Sequence, residues 1–393
     1  MMVMFFIPAN GNIFRASARI FAVRQGRLDK SDLNLSAKHG TFLHSLGKVS
    51  RMKSDENNVL LLNLGGPETL PDVQPFLYKL FSDPEIIRIK NPAIRHLLAW
   101  FISRAREKKS QDMYRQIGGG SPLRGITESQ AAALETALTA RGNRARVYVG
   151  MLCGKPSIDE AFDNITADGA RRLNLLPLFP QYSGTTTGAC FRYIRTLASR
   201  KKLSEKIEIF CVESWYENPL YINAVTDMVI AGLGRFPENE RHGVHILFSA
   251  HSLPERYVRQ GDPYLDQTRR CVSLINNRLK ERLNYGVDYS LAFQSRVGPV
   301  RWLQPSTESV LRTLARRGVR RVLTVPVSFV SDHIETLYEL DIAYRKLAAE
   351  LGVTEFQRAE SLNVHPEFIA ALADIALDID GNLCRKRFPA QTR

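Results

Sequence analysis

Uninterrupted apolar runs predict the strands of this chain. "LNLLPLF" (173–179) and "VLTVPVSF" (322–329) are two such runs, and "NVLLLNLGGPE" (58–68) and "VHILFSAHSLPE" (244–255) are two more that end in polar loops. Continuous rather than alternating apolar residues are typical of parallel strands that helices cover on both faces. The pattern predicts an α/β fold with parallel sheets.

An internal repeat divides the chain into two similar halves. Each copy contains an apolar strand, a helix with acidic residues in its first turn, a Gly stop, a second strand interrupted by Pro, and another helix. This order predicts two related Rossmann-like domains, at 55–235 and 236–378, between a leader (1–54) and a tail (379–393). At one constant offset, Pro156 matches Pro305, Ser157 matches Ser306, Gly169 matches Gly318, Arg171 and Arg172 match Arg320 and Arg321, and Pro177 matches Pro326.

Four polar segments follow predicted strands, at 63–68, 180–188, 249–255 and 331–341. Functional residues of parallel α/β sheets gather at the carboxyl ends of the strands. We therefore expect these segments to meet in a cleft between the two domains.

The segment "SDHIETLYELD" (331–341) carries the densest ionisable chemistry. A helix that begins near Ser331 or Asp332 would place Asp332, Glu335 and Glu339 on one face. One interpretation is helix capping plus a solvated acidic face. The other is a functional pair with His251, which ends another strand and could itself be a structural histidine. We favour the pair because both segments end strands at the same edge.

A histidine beside carboxylates can handle protons or a divalent cation at neutral pH. The spacing lacks the HExxH pattern of a tight zinc site. Transient handling of protons or a metal fits these residues better than permanent metal binding.

Composition excludes several classes of protein. No apolar run approaches the roughly 20 residues of a membrane-spanning helix. The net charge of +14 is spread along the chain without a nucleic-acid-binding module, so no nucleic-acid partner is expected. The five cysteines show no CxxC spacing, which favours a reducing compartment such as the cytoplasm.

Two segments leave alternatives open. Residues 1–51 are basic and poor in acids, which suits an over-extended start, a disordered leader or a transit peptide to an organelle. The segment 91–109 is amphipathic, with Ile94, Leu97, Leu98, Phe101 and Ile102 among basic residues. It is interpreted as a core-facing helix or as a surface that contacts a membrane peripherally.

Several motifs resemble those of the ferrochelatase family from about residue 58 to residue 378. They are "LLLNLGGPETLPDVQPFLYKLFSDPEIIRI", "YRQIGGGSPLR", "LFSAHSLPERY", "GDPY", "QSRVGPVRWLQPSTE" and "VPVSFVSDHIETLYELDI". The resemblance implies two similar chelatase-type domains with the active-site cleft between them. It also implies a lyase that inserts Fe²⁺ into protoporphyrin IX in haem biosynthesis.

The same resemblance implies residue roles. His251 would accept protons and contact iron, with Glu335 as its partner across the macrocycle, and Asp332, His333 and Glu339 would form a polar path for iron or protons. The residues implied to grip the porphyrin are Leu64, Tyr114, Ser121, Ser252, Trp302 and Phe329.

Some expectations concern cofactors and alternatives. Animal relatives bind an iron–sulfur cluster through a C-terminal cysteine group and an upstream cysteine, whereas here only Cys384 lies in the tail and Gly184 takes the upstream position. We therefore expect no cluster and no permanent cofactor, with Fe²⁺ as a substrate. A coproporphyrin III ferrochelatase and a non-catalytic tetrapyrrole or metal carrier remain alternatives, and the oligomeric state is left open.

Overall fold

The structure is a computed structural model that describes residues 58–87, 89–296, 300–377 and 386–388. The predicted leader, Cys384 and most of the predicted tail lie outside the described residues. No helix within the described ranges is long and apolar enough to cross a membrane.

The first half of the chain alternates strands and helices in the predicted order. Its elements are β1 (Asn58–Asn63), α1 (Val73–Ser82), α2 (Pro92–Arg115), α3 (Leu123–Ala140), β2 (Val147–Met151), α4 (Ile158–Ala167), β3 (Arg172–Pro177), α5 (Thr187–Arg200), β4 (Glu208–Cys211) and α6 (Pro219–Leu233), with 3₁₀ helices at Leu70–Asp72 and Leu203–Glu205.

The second half repeats this alternation and adds a helix of unusual type. After a 3₁₀ helix (Glu238–Gly243), its elements are β5 (His245–His251), α7 (Glu255–Arg259), α8 (Tyr264–Arg282), β6 (Tyr289–Gln294), α9 (Thr307–Arg316), β7 (Arg321–Pro326), a π-helix (Glu335–Tyr344), α10 (Arg345–Glu350), β8 (Glu355–Arg358), α11 (Pro366–Leu377) and β9 (Lys386–Arg387).

The strands form two sheets, which confirms the predicted α/β class. The first sheet has the order β2-β1-β3-β4-β9 and is parallel except for the antiparallel β9. The second has the order β6-β5-β7-β8 and is parallel throughout. Strands β1 and β5 are buried along their whole length, as expected for strands covered on both faces.

The repeat predicted from the sequence appears as matching local structure. The hydroxyl oxygens of Ser157 and Ser306 cap the first turns of α4 and α9, each accepting a backbone N–H bond at 3.2 Å. Gly169 and Gly318 follow those helices with φ of +72° and +78°, the left-handed conformation that glycine adopts most readily. The two halves are therefore copies of one βαβ plan.

The end of the chain does not stay with the second half. Helix α11 packs against α3 and α6, which belong to the first half. One continuous apolar cluster includes residues from both halves, among them Leu134, Val225 and Leu372. The domain boundary placed between 235 and 236 stays a prediction.

Candidate active site

The carboxyl ends of the central strands line a small, partly open cleft. Both halves of the chain contribute to it, which places a site between them as expected. Segments 180–188 and 249–255 both reach it, whereas no lining side chain among the described residues comes from 63–68 or from 331–341. The lining residues are Phe179, Gln181, Ser183, Thr185, Thr186, His251, Leu253, Tyr264, Ser328 and Phe329.

His251 and Glu335 form a direct hydrogen-bonded pair at the base of this cleft. His251 is the last residue of β5, and Glu335 is the first residue of the π-helix. The His251 Nδ1 atom lies 2.8 Å from Glu335 Oε2. The predicted convergence of the two segments is correct, but the expected placement across the macrocycle is wrong, because a contact of this length leaves no room for a ring between them.

The contact also fixes which imidazole nitrogen faces the cleft. Because Nδ1 is engaged by a carboxylate, Nε2 is left to act on a molecule in the cleft. The backbone of His251 is held as well, since its carbonyl accepts a bond from the Tyr264 hydroxyl at 2.8 Å and its N–H donates to Ser328 Oγ at 3.3 Å. Tyr264 and Ser328 were not among the predicted site residues, although Tyr264 belongs to the "GDPY" motif.

Glu339 lies one turn beyond Glu335 and is buried. Gln294 Nε2 donates to Glu339 Oε2 at 2.8 Å, and the hydroxyl of Ser295 also bonds to that oxygen. Ser295 Oγ lies 3.1 Å from Glu335 Oε2. Ser295 has a φ of +63°, an uncommon conformation for a residue other than glycine, which aims its hydroxyl between the two carboxylates.

The two carboxylates titrate in opposite directions. Burial raises the pKa of Glu339 well above its usual value, and the charge of Glu335 raises it further. Burial alone would also raise the pKa of Glu335, but the charge and hydrogen bond of His251 outweigh burial and lower it. Glu339 therefore keeps its proton to a higher pH than Glu335 does.

His333 occupies an apolar position next to this cluster. Its ring centroid lies 4.3 Å from that of Phe329, and burial lowers its pKa. Within the described part of the chain, neither of its ring nitrogens has a hydrogen-bond partner. His333 is thus a buried, neutral imidazole with unused hydrogen-bonding capacity.

The predicted helix from Ser331 or Asp332 is wrong in its start and its type. The helix begins at Glu335 and is a π-helix, with hydrogen bonds from residue i to i+5. The spacing that would place Asp332, Glu335 and Glu339 on one α-helical face therefore does not apply.

The carboxylate of Asp332 is instead engaged by other residues. Arg358 Nη1 donates to it at 3.0 Å, and Ser361 and Asn363 donate at 2.8 and 2.9 Å. Burial by itself raises the pKa of Asp332, but Arg358 and these hydrogen bonds outweigh it and hold the pKa below its usual value.

The residues expected to grip a porphyrin occupy three places. Phe329 lines the cleft, and Ser252 follows His251, with a buried hydroxyl that has no partner among the described residues. Trp302 pairs with Pro254 in an isolated β-bridge just beyond. These three residues therefore lie close to His251, at the carboxyl end of β5.

The other three lie in the first half. Leu64 and Tyr114 belong to an apolar cluster. This cluster also includes Ile334, which precedes the π-helix, and Tyr338, which lies within it. Burial, and then the charge of Glu335, raise the pKa of Tyr114. The backbone N–H of Ser121 donates to the Pro67 carbonyl at 2.7 Å.

The hydroxyl-rich loop 183–187 is anchored by Asp262. Its carboxylate accepts bonds from Gly184 N at 2.8 Å and Ser183 Oγ at 2.9 Å. The sequence indicated the loop by its position at a strand end, but not its carboxylate partner from the other half. Asp262 thus ties the two sides of the cleft together.

Helix α2 presents apolar side chains to solvent, so its interpretation as a core-facing helix is wrong. Its buried residues are Ala99, Ser103, Met113 and Tyr114. The exposed set, here called the α2 patch, comprises Ile94 (53 % exposed), Leu97 (59 %), Leu98 (37 %), Trp100 (48 %) and Phe101 (56 %).

No group of three or more His, Cys, Asp or Glu side chains within the described residues is arranged to hold a metal ion. His251 lines the cleft, whereas Glu335 and Glu339 are buried and are linked to it through the hydrogen bonds of Glu335 and Ser295.

Comparison with known proteins places these features in a family context. A family model described as Ferrochelatase matches residues 56–378. A ferrochelatase of Gloeobacter violaceus is 50% identical over 324 residues, covering 82% of this chain and 97% of that protein. A ferrochelatase of Gloeothece citriformis is 48% identical over 321 residues, covering 81% of each. A SirB structure from Bacillus subtilis aligns with 65% of this chain and 92% of its own, with a TM-score of 0.46 and 17% identity.

Proposed function

This chain belongs to the ferrochelatase family, and we propose that it inserts Fe²⁺ into protoporphyrin IX and releases two protons, the terminal step of haem biosynthesis. The reaction makes it a metal chelatase of the lyase class. The observation that carries this proposal at the level of the site is the His251–Glu335 pair at a cleft between two similar halves.

Proton removal is the chemical demand that this pair can meet. Pyrrole N–H groups are weak acids, so a base must lie beside them when the metal enters. His251 can accept a proton at Nε2 while Glu335 stabilises the resulting imidazolium through Nδ1. The depressed pKa of Glu335 keeps that carboxylate ionised for this role.

A second step must carry each proton away from the ring. Ser295 lies within hydrogen-bond distance of both Glu335 and Glu339, so a proton can pass between the carboxylates through one hydroxyl. We propose that Glu339, with the neighbouring His333, forms the polar path predicted from the sequence. Asp332 supports this path through the position of the π-helix, because its carboxylate is already engaged by Arg358.

Binding of a distorted macrocycle would supply the remaining catalysis. An enzyme that grips a bent ring lowers the barrier to metal entry with binding energy. We assign this grip to Leu64, Tyr114, Ser121, Ser252, Trp302 and Phe329. Phe329 supports the assignment most directly, because it lines the cleft and its ring centroid lies 6.3 Å from that of His251.

We propose that the α2 patch rests on a membrane surface. Its five apolar side chains are exposed, and Arg104 and Lys108 on the same helix are exposed as well. An apolar face bordered by basic side chains suits the headgroup region of an anionic bilayer. Contact with lipid would also suit an apolar substrate. A cytoplasmic location at a membrane surface agrees with the cysteine content, since the five cysteines show no CxxC spacing.

Anaerobic incubation with Fe²⁺ and protoporphyrin IX tests the function, with the Soret band and porphyrin fluorescence as readouts. The expected result is multiple turnovers to protohaem. Stoichiometric binding without turnover would instead indicate a carrier, and a preference for coproporphyrin III in parallel reactions would indicate that alternative substrate. We also propose that no cofactor is resident; an iron–sulfur absorption spectrum in the purified protein would contradict this.

A further inference from the structure

The guanidinium of Arg358 lies between two carboxylates that bracket the start of the π-helix. Arg358 is the last residue of β8, the edge strand of the second sheet, and its side chain is only 9% exposed. Its Nη1 donates to Asp332 Oδ1 at 3.0 Å, and its Nε donates to Asp341 Oδ2 at 2.9 Å. One side chain thus joins the residues before and within the helix to the sheet.

The Asp332 end of this bridge is itself firmly held. Besides Arg358, its carboxylate accepts hydrogen bonds from Thr336, Ser361 and Asn363. The Asn363 carbonyl accepts a bond from Gln130 of α3 at 2.7 Å. The start of the π-helix is therefore fixed to both halves of the molecule.

A π-helix of this length needs such support. Helices with i→i+5 bonds are rare and usually occur as single turns inside α-helices. The present one extends over ten residues, from Glu335 to Tyr344. Most sequences that can form it can also form an α-helix, so contacts outside the helix must favour the π form.

The geometry of the bridge excludes an α-helix that runs continuously from Asp332 to Asp341. Residues nine apart on a continuous α-helix, at about 100° per residue, point in opposite directions. One guanidinium could not then contact both Asp332 and Asp341. A non-helical Asp332 followed by the wider π-helix brings both carboxylates to Arg358.

The form of the helix decides where its acids lie. In the π-helix, Glu335 meets His251 at 2.8 Å, and Glu339 meets Gln294 at 2.8 Å. We propose that Arg358 is a positioning residue of the reaction: by bridging Asp332 and Asp341 it holds the π-helix in the register that presents Glu335 and Glu339 to the cleft. This inference rests on the proposed function, since it concerns the same site.

The simpler role for Arg358 is general stabilisation of the fold. A fold-stabilising arginine would change the melting temperature and the folded fraction but leave the pH dependence of the remaining active molecules unchanged. A positioning arginine changes the environment of Glu335 and Glu339, and hence the pH profile. The two roles therefore differ in a measurable way.

The test compares Arg358→Met and Arg358→Lys with wild type. Arg345→Met is the matched control, because Arg345 contacts the same Asp341 at 3.5 Å from a side chain that is 48% exposed. For each protein, kcat, the porphyrin KM, the pH profile of kcat/KM and the melting temperature are measured. Lysine keeps the charge but cannot donate to two carboxylates in the fixed geometry of a guanidinium.

We expect kcat of Arg358→Met to fall by about 100-fold, the scale of a misplaced catalytic group, while the porphyrin KM stays nearly unchanged. The pH profile should shift, Arg358→Lys should be intermediate, and Arg345→Met should match wild type. If Arg358→Met does not fold, Asp341→Asn, which removes one anchor, should show the same shift in pH profile.

Two results would overturn the inference. One is an Arg358→Met variant with wild-type kcat. The other is a loss of kcat that matches the loss of folded protein, with an unchanged pH profile. Failure of the proposed function is distinguishable, because wild type and Arg345→Met would then lack iron insertion too.

Discussion

Glu335 and Glu339 are joined by one hydroxyl group, that of Ser295. Its oxygen lies 3.1 Å from Glu335 Oε2 and is also hydrogen-bonded to Glu339 Oε2. A hydroxyl has a single proton to donate, so both contacts are satisfied together only if one carboxyl group is itself protonated. The opposite pKa shifts of the two acids identify that group as Glu339.

Replacement of Ser295 by Ala should therefore interrupt proton movement without removing either acid. We expect kcat to fall by about 100-fold, the lower end of the effect of a positioned proton-transfer group, with the porphyrin affinity unchanged. Thr226→Val is the control, because it removes a buried hydroxyl that bonds only within its own helix. Stopped-flow measurement of iron insertion gives the rate. A Ser295→Ala variant as fast as the control would exclude the hydroxyl from the proton path.

The sequence predicted the convergence at the cleft because that depends on the order of strands. His251 ends β5 and Glu335 follows β7, the neighbouring parallel strand, and the carboxyl ends of parallel strands lie at the same edge of the sheet. The internal repeat supported the same prediction, because both halves follow the same order of strands and helices.

The structural features that the sequence did not predict depend on contacts between residues far apart in the chain or on a change of helix type. Residues four apart share a side in both helix forms, so the positions of Glu335 and Glu339 did not reveal the π-helix. Arg358 lies 26 residues after Asp332 in the sequence, and no local sequence pattern links the two. For α2, an apolar stripe looks the same whether it faces a core or a membrane.

His251→Ala and Glu335→Ala should each abolish iron insertion while porphyrin still binds. The first removes the proton acceptor, and the second leaves its imidazolium without a counter-charge. A loss of at least about 100-fold in kcat is expected for a general base. His242→Ala, an exposed histidine outside the cleft, is the control. Porphyrin binding is followed by fluorescence quenching, and near-normal turnover in either variant would remove the mechanism.

Glu339→Gln should make stability less dependent on pH. The pKa of Glu339 is raised in the folded state, so its stabilising contribution is complete below the unfolded value of about 4.5 and is lost as pH rises toward the folded pKa. The slope for one proton is at most about 1.4 kcal/mol per pH unit. Gln cannot ionise, so the variant does not lose stability in this way.

Urea denaturation at a series of pH values above about 4.5 measures that difference. As pH rises, the free energy of unfolding of Glu339→Gln should increase relative to that of wild type. Glu281→Gln, at a side chain 61% exposed, should follow wild type. Parallel curves for wild type and Glu339→Gln would contradict a raised pKa.

Asp332→Asn should slow iron insertion less than Glu335→Ala does. Asp332 acts through Arg358 and not on the substrate, so its amide analogue weakens an ion pair and keeps several hydrogen bonds. Its pKa is lowered in the folded state, so its stabilising contribution is present above pH about 3.9 and lost as pH falls through the folded pKa. Acid titration followed by circular dichroism should show less acid destabilisation in the variant. Equal losses of kcat in Asp332→Asn and Glu335→Ala would show that Asp332 has a direct role.

Replacing Leu97 and Phe101 of the α2 patch by Ser should weaken membrane binding. These side chains are 59% and 56% exposed, so their replacement costs little packing, whereas burial of each in lipid is favourable by about 1.5–3 kcal/mol. We expect the double variant to bind phosphatidylglycerol vesicles at least about tenfold more weakly in sedimentation. Val364→Ser removes an exposed apolar side chain outside α2 and should bind as wild type does. Turnover of detergent-dispersed porphyrin should be unchanged in all three proteins. If wild type does not bind the vesicles, or if the double variant binds them equally well, the α2 patch does not bind lipid. If wild type is a dimer that dissociates in the double variant, the partner of the patch is a second copy of the chain.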